Sequence, residues 1–393
     1  MSALRVALCA DFPEEQWPSM DRVANELTGQ IRQSHTDAID LTPICPAFTR
    51  RVSSLWSGRT PFSIDRALNR WWDYPRHVDR IAAAFDVFHV VDHSYAQLVH
   101  RVPAERTVVT CHDLDTFRSL LCPQEEPRSA VFRKATGRIL AGLQRAAWVT
   151  CDTASIRDEL IGHGLVSPQR VSIAPPGVGE SFSAVPDEVA DLAAARLVAP
   201  APGAIEILHV GSTIPRKRID TLLAVCAALL PAVPELHLIR VGGAFTPEQQ
   251  RILEANGLAH RVSVLEFVNE RTLAAVYRRA ALVLLPSARE GFGLPVLEAL
   301  ACGTPMIASD LPVLREVGGG SVEYAPVGDI EAWVRRVRAL LDERRHRQAQ
   351  WHARRQAGRE RARGFTWSQF ASRIVDVYQE LGAAPTKTRA LAS

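Results

Sequence analysis

The chain has 393 residues, 47% of them apolar and 23% charged, a globular composition with room for two domains that each bury a core. Its 46 lysines and arginines against 43 aspartates and glutamates leave a formal charge of +3, too little to point to nucleic acid. No run of eighteen apolar residues occurs, so no helix is expected to cross a bilayer.

The seven cysteines are odd in number and form no C-x-x-C pair. Several sit in or beside apolar strands, which predicts buried reduced thiols rather than disulfides or zinc ligands. Met1 to Ala10 is too short, and too soon followed by Asp11, Glu14 and Glu15, for a signal peptide. Together these predict a cytoplasmic protein.

Leu4 to Cys9 reads as the first strand, and a helix is predicted over Asp21 to Ile31 with Ser19 or Met20 before it. Trp17, in the loop between, reads equally as a platform for a flat ligand face and as a packed side chain. Between Arg50 and Arg80, seven arginines meet three aspartates with Trp56, Trp71 and Trp72 interleaved. Such a stretch fits contact with an anionic membrane and a packed connection with solvated arginines equally well. Further strands are predicted at Asp86–Val91, Thr107–Cys111, Trp148–Cys151 and Val171–Ala174, and the break Pro175-Pro176-Gly177 ends this half. His112 and Asp113 directly follow a strand.

An Ala- and Pro-rich stretch with one helix, Gly179 to Gly203, opens the second half. It repeats the plan with strands Ile205–Val210, Leu236–Val241, Val262–Leu265, Ala281–Leu285 and Met306–Ala308. Arg335 to Arg363 carries eleven arginines and few apolar residues, which predicts an exposed helix. Trp367, Phe370, Ile374, Val377 and Leu381 have the spacing of a closing helix. Strands alternating with helices give an α/β protein of two doubly wound parallel sheets, which bind ligands at the carboxyl ends of their strands.

The most informative string is Arg289-Glu290-Gly291-Phe292-Gly293-Leu294-Pro295-Val296-Leu297-Glu298, continuing through Ala299-Leu300-Ala301-Cys302-Gly303-Thr304-Pro305. Pro295 fits the first position of a helix, and the glycines let a ligand approach the main chain. The amides of Gly293, Leu294 and Val296 are then expected as donors at a positive helix end. Glu290 before the helix and Glu298 in its first turn can accept paired hydroxyl hydrogen bonds from one elongated ligand. A second element, Gly211-Ser212-Thr213-Ile214-Pro215-Arg216-Lys217-Arg218, places fixed cations after a strand, suited to negative charge on a departing phosphate.

These strings resemble the GT-B glycosyltransferases, and within them the retaining family 4 with its E-x7-E element, matched here by Glu290 and Glu298. The resemblance implies two Rossmann-like domains facing a cleft. Residues 1–177, with a returning helix 365–382, would bind the acceptor; residues 178–364 would bind a nucleotide sugar, with 383–393 a disordered tail. It implies transfer of a sugar from a nucleotide diphosphate to an acceptor hydroxyl with retention, and needs neither a metal nor another cofactor. Glu290 then contacts the transferred sugar, Glu298 the ribose, Lys217 the diphosphate, and His112 faces the sugar, with Asp113 holding the ring or shaping the loop. Many members carry arginine where this chain has Ser212, which leaves Arg216 or Arg218 as the second cation.

The base is expected near Phe267 and Val268, and Gly211, Phe292, Gly293 and Leu294 line the donor site. The opening loop lacks the family's paired glycine, so it is assigned to the acceptor, with Trp17 beside it. A glycan or lipid-linked acceptor of cell-envelope synthesis, and a peripheral place at the inner face of the plasma membrane, are family expectations. The rival readings are a nucleotide-sugar-binding protein with degenerate transfer and a nucleotide-sugar epimerase.

Overall fold

A computed structural model describes residues 3–55, 58–198, 202–266 and 268–383, so Trp56, Phe267 and the expected tail beyond residue 383 lie outside the described residues. The chain forms two compact units, one reaching to Pro176 and resuming at Trp367, the other Gly177–Thr366.

The first unit runs β1 (Leu4–Cys9), α1 (Pro18–Ser34), β2 (Ile39–Ile44), α2 (Arg59–Leu68), α3 (Tyr74–Ile81), β3 (Val87–Val90), β4 (Thr107–Cys111), α4 (Arg118–Leu121), α5 (Ala130–Arg145), β5 (Trp148–Cys151), α6 (Ala154–Gly162) and β6 (Val171–Ile173). Its strands pair in parallel in the order β2-β1-β3-β4-β5-β6. The inner strands are buried on both faces, which is why they read as continuous Val-rich runs. β2 escaped the sequence reading because it is an edge strand, alternately exposed and carrying Pro43. α1 starts at Pro18 rather than Asp21, since proline's fixed φ and missing N–H suit the first helical position.

The second unit runs α7 (Glu188–Val198), β7 (Ile205–Val210), α8 (Ile219–Leu229), β8 (Leu236–Val241), α9 (Pro247–Ala255), β9 (Val262–Leu265), α10 (Glu270–Arg279), β10 (Leu282–Leu285), α11 (Leu294–Ala301), β11 (Met306–Ser309), α12 (Pro312–Gly318), β12 (Glu323–Ala325), α13 (Ile330–His346) and α14 (Gln348–Arg363). The parallel order is β12-β11-β10-β7-β8-β9. β12, a three-residue edge strand, also went unpredicted. The arginine-rich stretch is two helices rather than one exposed one. Trp351 is buried, Arg354 pairs with Glu323 and Glu343, and Arg355 and Arg361 donate to the carbonyls of Gly303 and Val317.

The last helix, α15 (Trp367–Ala383), belongs to the first unit. Its face Trp367, Phe370, Ile374, Val377, Tyr378 and Leu381 shares a core with Val6, Leu8, Val87 and Val108. There the Tyr378 hydroxyl lies 2.6 Å from Nδ1 of buried His89. Each sheet reverses its winding direction once, between β1 and β3 and between β7 and β10. Loops diverge at such points and leave room for a ligand.

Candidate functional site

In the second unit the strand ends at the β7–β10 reversal carry both conspicuous elements. After β7 the chain makes a tight turn, Pro215–Lys217, and Arg218 at its end takes a left-handed conformation with φ 49°. The Ala288 amide donates to the Arg216 carbonyl at 2.7 Å, tying this turn to the loop after β10. Glu290 in that loop has a side chain only 5% exposed. Its Oε1 accepts from Lys217 Nζ and from Ser287 Oγ, each at 2.7 Å, and Oε2 accepts from Arg216 at 3.3 Å. Burial pushes this carboxyl up, but the charges of Lys217 and Arg216 outweigh it and hold Glu290 below the ordinary glutamate value. Of the two candidate second cations, Arg216 turns to Glu290 while Arg218 folds onto Asp220 at 2.9 Å.

α11 starts one residue earlier than expected, at Leu294, with Pro295 second. Gly293 caps it at φ 91°, where an added Cβ would come 2.6 Å from the Leu314 side chain, so only glycine fits. The Val296 amide is committed to the Gly293 carbonyl at 2.8 Å and is not the free donor that was expected. Glu298 lies in the second turn rather than the first; it is buried and accepts from the Tyr277 hydroxyl at 2.7 Å. Phe292 packs into the core 6.0 Å from the Phe365 ring, and Leu294 and Val268 lean on the same core. Gly211 is half-buried at the end of β7, and Ser212 beside it is exposed. Phe267 is outside the described residues. Tyr277 was missed because it sits in α10, with no local motif to mark it.

In the first unit, polar side chains gather where the strands end. His112, after β4, is 7% exposed, with Nδ1 2.8 Å from Asp152 Oδ2 and Nε2 2.9 Å from the Val91 carbonyl. A carbonyl only accepts, so Nε2 carries a proton. Burial draws the ring's pKa down, but Asp152 more than reverses this and raises it to about 9. Asp113 accepts from the Asp115 amide at 3.0 Å, shaping its own loop, and lies 3.6 Å from His93 Nε2.

At the β1–β3 reversal stand two residues the sequence reading did not single out. Asp11 is 5% exposed and Asp92 is 8% exposed. Burial and the charge of Asp92 raise the Asp11 carboxyl well above its ordinary value. Burial acts the same way on Asp92, but His93 and His112 draw it down to about 2. The two carboxyls are therefore driven apart, Asp11 up and Asp92 down, as expected of two acids in one buried site. The rule that ligand residues follow strands would have found Asp11, Asp92 and Asp152, since each is the first charged residue after a strand. Trp17 stands 45% exposed at the start of α1, while its neighbour Glu15 is held by Arg70 and by the Tyr95 hydroxyl at 2.9 Å.

Comparison with known proteins agrees with this architecture. Residues 198–358 match the family described as glycosyl transferases group 1, and residues 26–182 match glycosyltransferase family 4. The fold is similar to that of sucrose-phosphate synthase from Thermosynechococcus elongatus, with a TM-score of 0.74 at 20% identity over 97% of this chain and 100% of that one. The fold is thus that of the GT-B glycosyltransferases. The chain belongs to family 4 of these.

Among curated proteins it is 32% identical over 302 residues to a D-inositol 3-phosphate glycosyltransferase of Geodermatophilus obscurus, covering 72% of this chain and 63% of that protein. It is 28% identical over 300 residues to the serotype-specific mannosyltransferase WbdA of Escherichia coli, covering 74% of this chain and 36% of that protein. The chain thus spans less than two thirds of the length of either relative.

Proposed function

We propose that the protein is a retaining glycosyltransferase that moves a sugar from a nucleotide diphosphate to a hydroxyl of a polyhydroxylated acceptor. The observation that carries this is the Lys217–Glu290–Arg216 cluster at the winding reversal of the second sheet. Two cations are held there by one buried carboxylate, so their charge is fixed before a ligand arrives. Such preorganised charge stabilises a leaving diphosphate without rearrangement, and the phosphate can then accept the acceptor's proton itself. Glu290 retains acceptor capacity on Oε2 for a sugar hydroxyl, and the Glu298 carboxylate is assigned to a ribose. No group of three or more His, Cys, Asp or Glu side chains suited to a metal ion occurs among the described residues.

Acceptor binding falls to the strand ends of the first unit. Asp11 and Asp92 together offer several acceptor positions, and an O–H donor when Asp11 is protonated, which suits a vicinal diol. The relatives named for D-inositol 3-phosphate and for mannose transfer make inositol phosphates and mannosyl glycans the first acceptors to try. A lipid-linked acceptor at an anionic membrane is supported by one further observation. Ile64, Leu68 and Trp72 are 44%, 38% and 57% exposed at four-residue intervals along α2 and the turn after it. Arg59, Arg66, Arg76 and Arg80 in the same stretch are exposed, with the Arg76 guanidinium over the Trp72 ring. None of the described helices is long and apolar enough to cross a membrane.

The test is thermal stabilisation by UDP-, GDP-, ADP- and TDP-sugars, in wild type and Glu298→Ala. A ligand at a hundred times its Kd adds about 2.7 kcal/mol. One nucleotide class should raise the melting temperature of wild type and lose most of that effect in the variant. No shift with any donor, from folded protein, would remove the donor reading.

A further inference from the structure

Arg240, the fifth residue of β8, is 0% exposed, and no carboxylate among the described residues pairs with it. Burial draws its guanidinium down to about 10, still charged at neutral pH. Its charge is met by three backbone carbonyls instead. One nitrogen donates to Gly243, and another to Gly211 at 3.1 Å and Gly242 at 3.3 Å. The two loops touch here so closely that a Cβ on Gly242 would sit 2.3 Å from the Gly211 carbonyl oxygen. His209, equally buried, has neither ring nitrogen partnered; burial, then Arg240 and Lys217, push its pKa well down and keep it neutral. Among the described residues, Lys217 and Arg240 therefore have one carboxylate between them, Glu290, which pairs with Lys217.

The three carbonyls have a geometric consequence. In a trans peptide the C=O and the following N–H point in opposite directions, and no cis peptide occurs here. Carbonyls of Gly211, Gly242 and Gly243 turned onto the guanidinium therefore turn the amides of Ser212, Gly243 and Ala244 away from it. None of these three amides has an acceptor among the described residues, and Ser212 and Ala244 are exposed. Successive outward amides beside surplus positive charge bind anions.

We infer that Arg240 orients the Ser212, Gly243 and Ala244 amides as a binding nest for a diphosphate, making it a positioning residue for the phosphates of a nucleotide. This rests on the donor reading above and adds to it a phosphate subsite that uses no side chain from Ser212. The charge acts from beneath the loop, so its loss weakens phosphate binding without touching the base or ribose.

Amide resonances of 15N-labelled protein, titrated with inorganic pyrophosphate, the four nucleoside diphosphates and the four nucleosides, test this. Ser212, Gly243 and Ala244 should shift saturably with pyrophosphate and with the matching diphosphate, and not with nucleosides. In Arg240→Met, diphosphate affinity should fall roughly tenfold to a hundredfold with nucleoside affinity unchanged, and Arg240→Lys should recover part of it. Diphosphate binding that leaves the three amides unmoved overturns the nest, as does an equal loss of diphosphate and nucleoside binding in Arg240→Met. Unmoved amides with every ligand also overturn it, and the wild-type titration decides the matter if a variant does not fold. Pyrophosphate shifts at these amides without sugar transfer would remove the enzymatic reading and keep the nest. Sugar transfer with unmoved amides would do the reverse.

Discussion

His112 keeps its proton although it is buried, because Asp152 and the Val91 carbonyl both accept from the ring. A pKa raised from 6.5 to about 9 means the folded state binds this proton more tightly than the unfolded chain. The stability it contributes is complete below pH 6.5 and is lost as pH rises through 9. We therefore predict that the melting temperature of wild type falls over that window and that His112→Gln flattens the fall; an identical slope in the variant would show that the ring is not the charged partner. Glu290, Glu298 and Lys217 were legible because each lies in a local string whose glycines, proline and spacing constrain one another. Arg240, Asp11 and Tyr277 were not. Arg240 reads as one basic residue in a strand, and its meaning depends on glycine carbonyls from two loops.

At the scale of elements, the stretch between Arg50 and Arg80 divides its labour by face. Asp65 and Asn69 point inward, Asp65 accepting from the amides of Arg51, Val52 and Ser53 and Asn69 from that of Thr49. The other face carries Ile64, Leu68 and Trp72, with the Arg76 guanidinium 3.3 Å from the Trp72 ring centre. The packed connection is thus present on one side, and the other side leaves an apolar stripe exposed in an arginine-rich stretch. If the stripe meets lipid, wild type should sediment with vesicles containing phosphatidylserine and less so with neutral ones. Trp72→Ala combined with Arg76→Ala should lower that binding roughly tenfold, since each basic residue near such a surface is worth about 1 kcal/mol. Equal sedimentation with both vesicle types, or no effect of the double substitution, would leave the stripe without a membrane role.

For the whole molecule, the decisive feature is that the first unit is made from two separated pieces of chain. α15 supplies Phe370, Ile374 and Tyr378 to the core beneath β1, β3 and β4. Ending the chain at Thr366 should uncover that core and leave the second unit's own clusters intact. Hydrogen exchange should then quicken in β1, β3 and β4 while β7, β8 and β10 keep their protection. Unchanged protection of β1 would mean the helix adds little to its unit.

The sequence by itself determined the alternation of strand and helix, ten of the twelve described strands, and the paired acids and cations. Period, turn residues and spacing are all local properties of a chain. The tertiary structure alone decided which strands are neighbours, and so which loops meet. That order brings Lys217 to Glu290 and Asp11 to Asp92, and sets Arg240 beneath the glycine carbonyls. Parallel pairing joins residues far apart in the chain, and no local pattern records the distance it closes.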